Sequence, residues 1–423
     1  MGVPRVTAGC RFRGVPERYV AGAYIRGRPE GRPYPGSQQA IHETSGLELL
    51  FPLCPTLLLN RPQGPGFFWR TKMILEPEKI RSILVLMMDR HLGNFVVSLS
   101  SIVAFQKYFQ NKTCYFAFDS NYREVVESVD GLNNIISFPR REIYKSGLVK
   151  RILLYVRFIN SLRSADCDVA IDLQGGNASS IASFLSGASS RLSNSSARRP
   201  YIYNIKIDLP VGEHKVRNYT KVAEALGATI DEPHYRLYPS NRRTESLNKI
   251  LELHRISSHT PIISVHAGAG NIHKQWTTDG FVEITDWLTS KGFQVILVGS
   301  DRDLDKIEAI MTRLSHKAYN FAGTLSLGEL MALFHMSSLF LGNDSGPMHL
   351  AAAMGTPVVG LFGPVDERRW GPLSTNSIVL RGEEACEDCR EKRKDCHDFP
   401  CITTLKPDKV KKAISELLAA GQN

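Results

Sequence analysis

The chain has 423 residues, enough for two ordinary domains with extra segments, and with 43% hydrophobic and 22% charged residues it reads as globular. No stretch nears the roughly 18 uninterrupted apolar residues of a membrane-spanning helix; the nearest, 47–59, is broken by Glu48, Pro52 and Pro55. The net charge of +10 is unevenly placed, because residues 1–72 hold ten Lys/Arg against four Glu and no Asp, together with ten Gly and nine Pro. Such a composition buries too little surface to offset its ordering entropy. Residues 1–72 are therefore expected to be a disordered or poorly packed extension without chemistry, with Met73 a candidate natural start. They lack the clean apolar run and cleavage site of a secretion signal, and Cys10, Cys54, Cys114 and Cys167 are scattered. Reduced thiols and a cytoplasmic location are expected.

From Arg81 onward, short apolar runs alternate with helical periods. Residues 82–88 (SILVLMM) lack polar alternation, as a strand buried on both faces of a parallel sheet does. The loop 89–94 leads to a helix over 95–108. Strands follow at 113–118, 134–138 and 168–173, with the longest helix of this half at 145–162. The rhythm weakens over 209–257. It then restarts with strands at 262–266, 293–299, 339–342 and 357–362, and helices at 278–290, 304–314, 326–334 and 346–354. A helix at 406–420 closes the chain. This alternation predicts an α/β protein of two Rossmann-like halves, divided as 73–245 and 246–423, with substrate in the cleft between them.

The densest chemical signal is 339–372 (LFLGNDSGPMHLAAAMGTPVVGLFGPVDERRWGP). A buried strand ends at Gly342. Asn343, Asp344 and Ser345 are helix-capping types, and Gly346 and Pro347 open a helix whose small residues let a ligand approach the backbone. A helix start of this kind binds anions through its amides and dipole, although an ordinary strand–turn–helix has much the same caps.

The segment strongly resembles the signature of glycosyltransferase family 9, the lipopolysaccharide heptosyltransferases, in which an Asp-x-Gly-x-x-His pattern starts this helix; Asp344, Gly346 and His349 match it. Gly363-Pro364 and the run Arg369–Pro372 are also similar. So is His266-Ala-Gly-Ala with Lys274 and Trp276, where Ala267 stands in place of the usual proline. Asp172-Leu-Gln-Gly and His214-x-Val with Tyr219 fit as well, so that the likeness covers about 80–420. It implies a GT-B fold, two facing Rossmann-like domains with a central cleft, with the acceptor on the first and the donor on the second. It further implies an ADP-activated heptose as donor, a lipopolysaccharide core as acceptor and inversion in one displacement. Donor contacts are then expected at His266, Gly268, Lys274, Asp344, Ser345, Gly346, Pro347 and His349. Lys274 is the cation expected to meet the diphosphate without a metal cofactor, and His349 is expected to be structural.

In that family a Gly-Asp pair after the first strand supplies the catalytic base. Here Gly93 is followed by Asn94, and an amide accepts no proton at neutral pH. Asp89 and His91, in the same loop, are the substitutes. A relocated base, slow turnover by positioning and charge, and a binding protein without chemistry all remain open. Further along, Cys386, Cys389, Cys396 and Cys401 offer enough thiolates for one structural zinc, with reduced thiols or disulfides as the alternatives. Arg140, Arg141, Lys145, Lys150, Arg151, Arg157 and Arg163 cluster around one helix. They form either a solvated face or an attraction for an anionic glycolipid acceptor and an inner-membrane surface; no nucleic-acid module accompanies them. A nucleotide-cofactor oxidoreductase is disfavoured, since neither first strand leads into a Gly-x-Gly-x-x-Gly turn.

Overall fold

The computed structural model describes residues 77–230, 232, 235–257, 259–383, 396 and 398–421. The expectation for 1–72 falls outside them. The first half runs β1 (Ser82–Met87), α1 (Leu92–Tyr108), β2 (Thr113–Asp119), α2 (Arg123–Val126), β3 (Ile135–Phe138), α3 (Arg140–Lys145), α4 (Leu148–Ser164), β4 (Val169–Asp172), α5 (Asn177–Leu185), β5 (Ser190–Asn194), β6 (Ile205–Ile207) and α6 (Lys215–Glu224). The second runs α7 (Asn241–Leu253), β7 (Ile262–His266), α8 (Thr278–Ser290), β8 (Gln294–Leu297), α9 (Leu304–Met311), β9 (Tyr319–Asn320), α10 (Leu327–Met336), β10 (Leu339–Asn343), α11 (Gly346–Ala353), β11 (Val358–Leu361), α12 (Glu367–Trp370) and β12 (Ser377–Leu380), followed by helices Pro400–Thr403 and Pro407–Ala420.

The strands form two six-stranded sheets, ordered β3-β2-β1-β4-β5-β6 and β12-β11-β10-β7-β8-β9. Every pairing is parallel. Counted within each half, both orders read 3-2-1-4-5-6, the doubly wound arrangement in which ligands bind beyond the carboxyl ends of the strands. The central strands β1, β7 and β10 are buried at every residue, as sheets covered by helices on both faces require. Local signals agree with the elements. Thr277 Oγ1 accepts the Gly280 amide at the start of α8 (3.1 Å). Ser326 and Glu329 exchange hydrogen bonds at the start of α10 (3.3 and 2.8 Å). The long helix expected over 145–162 is α4, which starts three residues later because Ser146 and Gly147 are extended and separate it from the short α3.

Both sheets lie in one unit of the chain. Glu124 on α2 accepts the Gly328 amide at the start of α10 (2.6 Å) and pairs with Arg243 of α7, tying the halves together. Closer to the cleft, α1 packs against both α6 and α11 and is buried around most of its circumference. Its first turn meets the first turn of α11 through two glycines. A Cβ on Gly93 would lie 2.8 Å from His349 Cδ2, and one on Gly346 would lie 2.9 Å from Leu92 Cβ. Because His349 is itself buried, Gly93→Ala is expected to cost about 1–3 kcal/mol by overpacking and to lower the melting temperature by several degrees. Gly270→Ala, whose Cβ meets nothing within 4 Å, should leave it unchanged; equal melting temperatures for the two variants would contradict this packing.

Candidate functional site

On the second half, three loop segments are wired together beyond the strand ends. Asn343, at the end of β10, donates from Nδ2 to the carbonyls of Ala267 (2.7 Å) and Gly268 (3.2 Å) and accepts the Trp276 amide at Oδ1 (3.0 Å). The buried Trp276 ring anchors the same loop, its Nε1 donating to the Leu405 carbonyl (3.0 Å). This loop presents Lys274, whose Nζ donates to Asp344 Oδ2 (2.7 Å). Asp344 is buried, while Lys274 keeps about a quarter of its side-chain surface exposed. The lysine is thus held in place but can still reach a ligand. Burial of a charge is tolerated here because its partner is close.

The start of α11 adjoins this pair. Ser345, the N-cap residue, makes no side-chain cap to its own helix; its Oγ instead bonds His266 Nδ1 (3.2 Å). No acidic residue occupies the first turn. The uncapped amides and positive dipole end therefore face outward from a site that also holds Lys274, an arrangement complementary to an anion. His266 and His349 are both held at a pKa of about 4 by burial, so each imidazole is neutral at pH 7. His349 Nδ1 is buried without a hydrogen-bond partner. Burial also pushes Lys306 down to about 8, and its Nζ donates to Gln275 Oε1 (3.0 Å) and the Trp276 carbonyl (2.9 Å).

The first half contributes the loop between β1 and α1. Asp89 is buried, its Oδ1 accepting the His91 amide (2.9 Å) and its Oδ2 accepting Asn94 Nδ2 (2.6 Å). Asn94 thus serves as a hydrogen-bond donor to Asp89. His91 is exposed and accepts at Nε2 from Arg90 Nε (3.3 Å). Partial desolvation between the cleft walls lowers its pKa from the ordinary value; Asp89 opposes this, while Arg90, Lys274 and Arg140 reinforce it. Behind this loop, Arg140 pairs with the buried Asp119 and donates to the Met88 carbonyl (2.7 Å), fixing the ends of β1 and β2. Lys215, in the first turn of α6, has its pKa lowered by burial and by Arg369, with Asp89 opposing. Next to it, His214 accepts the Val216 amide at Nδ1 and therefore donates from Nε2 to the Gly371 carbonyl of the other half (3.0 Å).

The β1–α1, β7 and β10 loops enclose a cavity of about 870 Å³ lined from both halves, with Arg140, Lys215, His214 and Lys306 outside its lining. Of the expected residues, His91, Asn94, His266, Lys274, Asp344, Ser345, Gly346, Pro347 and His349 line it. Asp89 sits behind the lining. Gly268 is buried against the Asp303 carboxylate, leaving Ala269 and Gly270 on the wall. Arg90, Asn121, Tyr122, Arg302, Asp303 and Trp370 also line the cavity. A periodicity reading passes over most of them, because single loop residues carry no pattern. The Asp301–Asp303 turn after β8 was the legible hint, being a third strand end of the same sheet. A second cavity of about 810 Å³, beside Lys107, Lys112 and Asp130, contains none of the expected residues.

Cys386 and Cys389 lie outside the described residues; Cys401 is buried and Cys396 half-buried. No helix among the described residues is long and apolar enough to cross a membrane.

The model of glycosyltransferase family 9 (heptosyltransferase) matches residues 155–398. Lipopolysaccharide heptosyltransferase 3 of Escherichia coli (strain K12) is 32% identical over 170 residues, which are 40% of this chain and 49% of that protein. The core heptosyltransferase OpsX of Haemophilus influenzae is 27% identical over 206 residues, 48% of this chain and 57% of that protein. The chain thus spans about half the length of these curated relatives. Among solved structures, a family 9 glycosyl transferase from Veillonella parvula superposes with a TM-score of 0.70 at 21% identity, covering 80% of this chain and 98% of that one. The E. coli ADP-heptose lps heptosyltransferase II gives 0.65 at 21% identity, with coverage of 81% and 100%. At such identities the superpositions speak for the fold, and the fold they share is two facing Rossmann-like domains, GT-B. With more than half of its length inside the family model, the chain belongs to glycosyltransferase family 9, the heptosyltransferase family.

Proposed function

We propose that the protein transfers a heptose or a related sugar from an ADP-sugar to the core of a lipopolysaccharide, inverting the anomeric centre in one displacement. The observation that carries this reading is the Lys274–Asp344 pair beside the uncapped start of α11, facing His91 across one cavity. The leaving diphosphate gains negative charge as the glycosidic bond to it breaks. Lys274 and the α11 amides meet that charge without solvent reorganisation, so no metal cofactor is part of the scheme. His91 takes the proton of the attacking hydroxyl at Nε2, exchanging its long Arg90 hydrogen bond for one from the substrate, since it lines the cavity and its lowered pKa leaves it neutral at pH 7. Asp89 positions it, binding the His91 amide and the Asn94 side chain together. The acceptor is an anionic glycolipid, reached by a cytoplasmic protein at the inner-membrane surface. Cys386, Cys389, Cys396 and Cys401 hold a structural zinc through which no step of transfer passes. The spacing of the four thiols supports it.

Asn94 in place of a carboxylate favours a second reading, a homologue that binds the nucleotide sugar without turning it over. In that case the parent binds donor without transfer, and Asn94→Asp restores it.

Three outcomes check the scheme, and a fourth checks the zinc. His91→Ala should lower kcat by about 100- to 10,000-fold with donor binding retained. In the parent, kcat/KM should be level above pH 6.5 and fall as the pH drops through the lowered pKa of His91; a variant that keeps both rate and profile removes His91 as the base. Lys274→Met should lower kcat/KM by about 10- to 100-fold, the worth of a charge-assisted contact, and unchanged ADP affinity and turnover would contradict its role. Native mass spectrometry should show one chelator-removable metal ion per chain, and an apo mass with the four thiols reactive rules it out.

A further inference from the structure

The surface of α4 carries a feature that the cleft does not use. One face of this helix is buried through Leu154, Tyr155, Phe158 and Leu162. On the side away from that face, Leu148, Val149, Ile152, Leu153 and Val156 recur at helical spacing and all face solvent. Their exposures are large for aliphatic residues: 68% for Leu148, 74% for Val149 and 52% for Leu153. Tyr144, just upstream on α3, is exposed as well. The charge around them has one sign. Residues 140–164 hold seven Lys/Arg and one acidic residue, Glu142, and α4 itself has no Asp or Glu. Lys150 and Arg157 are exposed and border the aliphatic face, with Lys145 exposed at the preceding turn.

We infer that this face of α4 is a docking surface for an anionic lipid bilayer, the helix lying in the interfacial plane with its aliphatic side chains among the acyl chains. A stripe of aliphatic residues edged by lysine and arginine, without acidic residues, is the pattern of an interfacial helix. The long basic stems can lie along the apolar face while their charges stay at headgroup level. A protein partner fits less well, because the cores of protein interfaces are depleted in lysine. The position adds weight. The segment begins at Arg140, which holds the Met88 carbonyl and Asp119 at the carboxyl ends of β1 and β2, the strand ends that face the cavity. A bilayer seated on α4 would therefore bring its headgroups beside the mouth of the cleft.

The inference is read as binding without turnover, so its failure and that of the transfer reading are distinguishable. The full chain is sedimented with phosphatidylcholine vesicles and with vesicles that also contain phosphatidylglycerol. The parent should bind the anionic vesicles, less so as salt rises. Replacing Leu148, Val149 and Leu153 together by Gln should weaken binding by about tenfold or more, and Lys150→Glu with Arg157→Glu should remove its salt-sensitive part. Circular dichroism confirms that the variants are folded. A second readout needs only one conservative change: Val149→Cys carrying a nitrobenzoxadiazole label should shift to the blue on the anionic vesicles. Absence of parent binding, equal binding by the triple variant or an unshifted label would overturn the inference. So would loss of self-association in the triple variant without any vesicle binding, which would make the face an interface between copies.

Discussion

The first turns of α1 and α11 meet where Gly93 lies against His349 and Gly346 lies against Leu92. Each turn is the positive end of a helix dipole, equivalent to roughly half an elementary charge. Neither has an acidic residue or a side-chain cap. Bringing two such ends to one point is unfavourable unless negative charge sits close by. Asp89 and Asp344 supply part of it immediately before the two helices, and both are buried. Lys274 pairs with Asp344, so the positive charge that this lysine presents on the cavity wall is held in place by the same carboxylate. The glycines are what permit the approach, since a side chain at either position would hold the helices and the two halves further apart.

Much of the surrounding architecture follows from keeping this point rigid. Asn343 fixes the Lys274 loop to the end of β10, Trp276 anchors it from beneath, and His214 spans from α6 to the Gly371 carbonyl. Arg140 does the same for the ends of β1 and β2. Burial keeps His266 and His349 neutral, so the only full positive charge that the β7 and β10 loops bring to the α11 start is that of Lys274. The loop that faces it follows a different logic. His91 stays exposed, while Asp89 and Asn94 bond to one another behind it. Asn94 is a donor to a carboxylate five residues upstream, so the two side chains satisfy one another and stiffen the loop that presents His91.

The strands that organise the site were legible because they are long, apolar and central: β1, β7 and β10 read as buried runs within a residue of their observed bounds. The strands missed were β5 (SRLSN), β6 (IKI), β9 (YN) and β12 (SIVL), each short and toward a sheet edge. There, β6 and β9 are only three and two residues long, β5 carries four polar residues in five, and the apolar run of β12 is only three residues long. The helix over 145–162 was legible except at its start, because periodicity continues across Ser146 and Gly147 while the helical backbone does not. At the site, Lys274 and Asp344 were legible as motif members, but their 2.7 Å pairing joins positions 70 apart in the chain. Arg302 and Asp303, Tyr122, and Trp370 enter the cavity from three separate segments of the chain, and only the folded topology gathers them.

The central claim is that the anion-binding point is the start of α11 with Lys274. A crystal structure of the protein soaked with ADP tests it most directly. The diphosphate is predicted within hydrogen-bonding distance of the Gly346 amide and Lys274 Nζ, with the distal phosphate turned toward His91. A diphosphate bound elsewhere, for instance in the second cavity beside Lys107 and Lys112, would contradict the account.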